Sequence, residues 1–176
     1  MTLTLGTTAP DFSLPAVDGS TRSLADYGEA TALALVQSCN HCPYVQAWEG
    51  RMSELQRTYG DRGFRLVAVS SNDAGRYPED AFDAMKERAR EQEFAFDYLY
   101  DESQSVASAL GSERTPEVFL FDADHRLVYH GAPDSDHQDP SGAEPYLRDA
   151  LEAVLAGETP EVQDVPAVGC TIKWRQ

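Results

Sequence analysis

Short unbroken apolar runs alternate along this chain with longer stretches of helical period. Leu33 to Val36 and Leu66 to Val69 are apolar throughout and bounded by polar residues, the pattern of strands buried on both faces of a parallel sheet. Between them Val45, Trp48, Met52, Leu55 and Tyr59 recur at spacings of three, four, three and four. That spacing lines one face of an α-helix, and Gly60 is placed to cap its C-terminus. Strand, helix and strand make a βαβ unit with a right-handed crossover. Upstream, Ala9 to Leu24 alternates through Phe12, Leu14 and Ala16 and breaks at Asp18-Gly19, which predicts a β-hairpin.

Downstream, Pro78 to Glu93 predicts a helix with Pro78 in its first turn, Glu79 and Asp80 matching the dipole, and Phe82, Met85 and Ala89 facing inward. Phe96 to Tyr100 reads as a short strand, and Glu102 to Leu110 as a short helix ended by Gly111. Val118 to Phe121 and Leu127 to Tyr129 flank Asp122-Ala123-Asp124-His125 and predict an antiparallel pair. A last helix, about Ala143 to Ala156, precedes an acidic, proline-punctuated tail.

A length of 176 residues predicts a single domain over residues 1–176, with residues 1–30 as a hairpin extension and residues 157–176 as a tail packed on the domain. Thirty acidic against fourteen basic residues give a net charge of −16, which argues against nucleic acid and anionic membranes as partners. The N-terminal residues lack a basic segment followed by an apolar one, so a cytoplasmic location is expected. Cys39, Cys42 and Cys170 are too few, and odd in number, for a secreted disulfide framework.

Cys39-Asn40-His41-Cys42 falls where the first core strand passes into the amphipathic helix. A C-x-x-C at such a junction reads as a redox dithiol, because the first sulfur would meet the unpaired N–H groups of the helix. A thiol of pKa about 8.5 is only about 3% thiolate at pH 7, and only the thiolate attacks, so a helix terminus that lowers the pKa supplies reactivity. A protonated His41 would add a cation beside the sulfur and make the disulfide a stronger oxidant. Two other readings stay open: half of a zinc site, for which Cys170 and four scattered histidines are the further ligands, and a merely buried pair.

Cys39-Asn40-His41-Cys42-Pro43-Tyr44-Val45 resembles the active-site signature of the peroxiredoxin-like, redoxin-type branch of the thioredoxin superfamily. Ala9-Pro10-Asp11-Phe12-Ser13-Leu14, Tyr77-Pro78-Glu79-Asp80, Thr115-Pro116-Glu117-Val118-Phe119-Leu120-Phe121-Asp122 and Gly169-Cys170-Thr171-Ile172-Lys173-Trp174 extend the resemblance over nearly the whole chain. It implies an α/β thioredoxin-like fold, a central mixed sheet flanked by helices, with the N-terminal hairpin and a strand-helix insertion. It also implies that Cys39 is the nucleophile, that Cys42 resolves, and that a cis Pro116 faces the pair, letting the Thr115 backbone bind an extended substrate peptide. Peroxiredoxins proper carry a proline and a hydroxyl residue where this chain has Ala32 and Val36, and thioredoxin has Trp and Gly-Pro where it has Ser38 and Asn40-His41.

The expected activity is thiol–disulfide exchange with protein or small-molecule disulfides, recycled by a separate reductase and needing no cofactor or metal. A thiol peroxidase and a non-catalytic redox-sensing or zinc-binding module are the rivals. Glu117 is a candidate proton acceptor for Cys42 or an ordinary strand residue. Cys170 is expected to sit in a packing latch with Ile172 and Trp174, the alternative being an additional redox cysteine. His130, His137, Asp134, Asp136 and Asp139 crowd one segment but miss the calcium-loop spacing, so a solvated loop is expected there.

Overall fold

The computed structural model describes all residues from Met1 to Gln176. Nine strands and four α-helices form: β1 (Ser13–Pro15), β2 (Thr21–Ser23), β3 (Ala32–Ser38), α1 (Pro43–Tyr59), β4 (Phe64–Ser70), α2 (Phe82–Glu91), β5 (Asp97–Tyr100), α3 (Ser105–Leu110), β6 (Arg114–Thr115), β7 (Glu117–Phe121), β8 (Leu127–Gly131), α4 (Tyr146–Leu155) and β9 (Cys170–Thr171). The central sheet has the order β5-β4-β3-β7-β8. β3, β4 and β5 run parallel, and β7 and β8 add antiparallel strands on the other side. This is a mixed sheet flanked by helices, the thioredoxin-like arrangement.

Alternation along the strands sorts the core into two layers. Ala32, Ala34 and Val36 of β3 share one cluster with Trp48 and Met52 of α1, Met85 of α2 and Leu147 and Leu151 of α4. Leu33 and Leu35 face the opposite way and pack with Phe12, Leu14, Val106, Leu110 and Phe119. Small residues thus lie under the large side chains of the helices, while large ones face the thinner cover of hairpin and α3, which keeps both layers filled. The apolar runs form the middles of β3 and β4; Gln37, Ser38 and Ser70 prolong those strands because they are buried at the sheet's carboxyl end.

Three details depart from the sequence reading. Gly60 is right-handed (φ −56°) and continues into a short 3-10 turn, and Gly63, at φ +93°, ends the segment. The helix expected over Pro78 to Glu93 is split: Pro78–Asp80 is a 3-10 turn, Ala81 is extended, and α2 begins at Phe82. The split turns Asp80 inward. In the tail, Ile172 is buried but Trp174 is 42% exposed, so only one of the two apolar residues packs. No helix is long and apolar enough to cross a membrane.

Candidate active site

β3 ends at Ser38 and delivers Cys39 to the carboxyl end of the parallel strands, the edge where α/β sheets place their sites. Pro43 occupies the first turn of α1, where a missing N–H costs nothing, and Cys42 caps that helix. Cys39 is 2% and Cys42 0% exposed. Opposite them the Thr115–Pro116 bond is cis. Thr115 Oγ1 lies 3.6 Å from Cys39 Sγ, and the Cys42 thiol is 3.3 Å from the Thr115 carbonyl, which accepts from it.

Asn40 and His41 hold the turn between the cysteines. The Asn40 N–H donates to Asp80 Oδ1 (2.8 Å), its Nδ2 donates to the Glu79 carbonyl (2.9 Å), and its Oδ1 accepts from Tyr98 (2.8 Å). His41 stacks on Tyr77 with ring planes 1° apart. Its Nδ1 approaches Asp80 Oδ2 at 2.5 Å without the alignment of a hydrogen bond. Asp80, 0% exposed, also accepts from Asn72 Nδ2 at 2.9 Å. The sequence placed Asp80 on a helix dipole; the structure makes it the anchor beneath the C-x-x-C turn. Ligand atoms of Cys39, His41 and Asp80 lie within 4.8 Å of one another. The hydrogen bonds to Asn40 and Asn72, with the His41 contact, account for the buried carboxylate.

Electrostatics divide the two sulfurs. The Cys39 thiol is pushed up by its hydrogen bond to Cys42, then by burial, then by the Asp80 charge. Cys42 is lowered chiefly by its hydrogen bond with Cys39, and further by its contacts with Cys170 and the Val45 N–H, against the opposing effect of burial. Of the N–H groups at the start of the helix, that of Val45 acts on the second sulfur. With α1 beginning at Pro43, Cys42 stands in the position just before the helix.

Glu117 is tied up elsewhere. Its Oε2 accepts from the Glu113 and Arg114 N–H groups (2.7 and 3.0 Å), and its Oε1 is 2.7 Å from His130 Nε2. The carboxylate thus holds the loop before β7, and its hydrogen bonds reach no cysteine. His130 Nδ1 is 2.9 Å from Asp164, which ties the tail to β8. Burial opposes charge on His130, but the bonds to Glu117 and Asp164 outweigh it, and its pKa is raised from 6.5. A raised folded-state value makes this stabilisation complete below the unfolded value and lost as pH rises through the folded one. Wild type and His130→Gln should therefore differ most in melting temperature below pH 6.5, with the gap narrowing at alkaline pH; a gap independent of pH would rule out the charged pair.

The acidic segment near residue 136 is clipped, not free. Asp134 accepts from Trp48 Nε1 (2.8 Å) and Arg51 (2.7 Å), and Arg51 also donates to the Asp136 and His137 carbonyls. His130 is remote from this group, paired with Glu117. The last strand is what the sequence left least defined. β9 pairs antiparallel with β6, setting Cys170 opposite Thr115, and Cys170 Sγ lies 2.7 Å from Cys42 Sγ.

Comparison with known proteins accords with this geometry. The AhpC/TSA family model matches residues 5–130. A hypothetical protein from Sinorhizobium meliloti 1021 is 37% identical, with a TM-score of 0.92 over 99% of this chain and 97% of that one. An uncharacterized conserved protein from Geobacillus kaustophilus is 38% identical, with a TM-score of 0.91 over 98% and 93%. A putative thiol:disulfide interchange protein DsbE from Chlorobium tepidum, 23% identical with a TM-score of 0.67 over 89% and 98%, shares the fold. No functionally curated protein matches the sequence. The chain belongs to the AhpC/TSA family and has a thioredoxin-like fold.

Proposed function

We propose that the protein is a thiol–disulfide oxidoreductase whose working unit is the Cys39–Cys42 pair. The observation that carries this reading is the burial of both sulfurs together beneath Thr115, with Cys39 Sγ 3.6 Å from its hydroxyl and Cys42 Sγ 3.3 Å from its carbonyl. Cys39 is assigned the attack because Cys42 is already engaged by the Thr115 carbonyl and by Cys170. Cys39 gives up its proton to the neighbouring Cys42 sulfur and attacks a substrate disulfide, forming a mixed disulfide and releasing one substrate sulfur as a thiolate that takes up a proton. Cys42 then attacks Cys39 and releases the second, so two electrons pass to the substrate and the protein keeps the disulfide. A separate reductase restores the dithiol.

A peroxidase reading keeps one specific support. Val36, standing where peroxiredoxins have a hydroxyl, is buried in the core, but Thr115 Oγ1 places a hydroxyl beside Cys39. An insulin-type reduction assay with Cys39→Ser tests the main reading. Turnover is expected to fall to the uncatalysed rate, whereas unchanged turnover would remove Cys39 from the reaction. Oxidation of wild-type Cys39 by hydrogen peroxide far faster than a free thiol, measured by stopped flow, would move the assignment to the peroxidase.

A further inference from the structure

The edge on which the family resemblance places a substrate peptide is occupied by this chain's own tail. β9 pairs with β6 so that Cys170 stands opposite Thr115 and Thr171 opposite Arg114. The docking continues on both sides of the pair. The Ile172 N–H donates to the Glu113 carbonyl (3.3 Å), and the Lys173 N–H donates to Asn72 Oδ1 (2.9 Å). The Lys173 carbonyl accepts from the Asp73 N–H (2.8 Å) and from Gln104 Nε2 (3.0 Å). Gly169 passes so close to Thr115 that a Cβ there would lie 1.9 Å from the Thr115 carbonyl oxygen. The strand is thus fitted to this edge from Gly169 to Lys173 and brings Cys170 against Cys42.

We propose that Cys170 is a third redox thiol, an internal exchange partner that forms a disulfide with Cys42. The proposal rests on the dithiol reading above. Starting from the Cys39–Cys42 disulfide, Cys170 loses its proton to solvent and attacks Cys42 Sγ. The Cys39–Cys42 bond breaks, the Cys42–Cys170 bond forms, and Cys39 leaves as a thiolate that takes up one proton. The set of three sulfurs holds one disulfide before and after, so no further oxidant or reductant enters the step. The contact of 2.7 Å between Cys170 and Cys42 already joins the two atoms that must bond. Burial supplies a direction: Cys39 and Cys42 are buried while Cys170 is half-buried, so the exchange carries the disulfide from the interior to the sulfur nearest solvent. There a reductant can reach it, and Cys39 is free for another attack.

Full-length protein equilibrated in glutathione buffers of graded poise, trapped with acid and alkylated, provides the test by non-reducing peptide mapping. Trypsin leaves Cys39 and Cys42 together in Ser23–Arg51 and Cys170 in Asp149–Lys173, so a bond to the tail links two peptides. The linked pair is expected in wild type, is expected to persist in Cys39→Ser, and should be lost in Cys170→Ser, which retains only Cys39–Cys42. Wild type that shows Cys39–Cys42 alone at every poise, with Cys170 alkylated or glutathionylated, would overturn the proposal and leave the dithiol reading standing. Absence of any intramolecular disulfide at every poise would overturn both.

Discussion

Replacing Asp80 with alanine is expected to destabilise the protein by roughly 3–5 kcal/mol, because it strands several buried polar groups at once. The Asn40 N–H and the Asn72 amide lose their acceptor, and His41 loses the carboxylate 2.5 Å away. Each unsatisfied buried donor costs about 1–3 kcal/mol, and the removed carboxylate, itself 0% exposed, leaves an unfilled space. For a chain of this size the melting temperature should fall by roughly 10 °C, measured by calorimetry. Asp80→Asn separates charge from hydrogen bonding. It keeps one carbonyl acceptor and removes the negative charge that opposes ionisation of Cys39. Cys39 should then be alkylated at lower pH than in wild type, at a smaller cost in stability. A melting temperature for Asp80→Ala within a degree of wild type would show that the anchoring network is not formed.

The second large effect belongs to Gly169→Val. A Cβ at this position would meet the Thr115 carbonyl oxygen at 1.9 Å, the Thr115 carbonyl carbon at 2.6 Å and the Pro116 nitrogen at 3.2 Å, all backbone atoms with no side chain to swing aside. The strand must therefore lift. Four hydrogen bonds hold it through Ile172 and Lys173, and at about 1 kcal/mol each their loss raises the open population by roughly 1,000-fold. Native-state alkylation of Cys39 and Cys42 should accelerate by about that factor. The central sheet does not contain β9, so global stability should fall far less than in Asp80→Ala. An alkylation rate equal to wild type would mean that the strand does not cover the dithiol.

The parts of the molecule that were legible in the sequence are those set by local pattern. Leu33 to Val36 and Leu66 to Val69 had to be strands buried on both sides, and the periodicity from Val45 to Tyr59 had to be a helix between them. Those three segments bring the C-x-x-C to the sheet's carboxyl end. What local pattern could not carry is pairing between distant, short pieces. β6 and β9 are two residues each, too short to show alternation, and their partnership spans residues 114 to 171. Asp80 follows a proline and a glutamate, which reads as the acidic first turn of a helix; only the closure of the fold turns it under Asn40 and His41. Glu117 illustrates the same limit. Its neighbour Pro116 placed it beside the cysteines, but the carboxylate is captured by two backbone N–H groups and by His130, contributed by the next strand.

The order in which these pieces leave the ribosome gives the β6–β9 pairing a biosynthetic meaning. Cys42 and Cys170 are separated by 128 residues. At about 5–20 residues per second, roughly 6–26 s pass between synthesis of the buried dithiol and synthesis of the strand that covers it. Throughout that interval Cys42 has no Cys170 beside it, so any disulfide the growing chain forms at this site joins Cys42 to Cys39 and not to the tail.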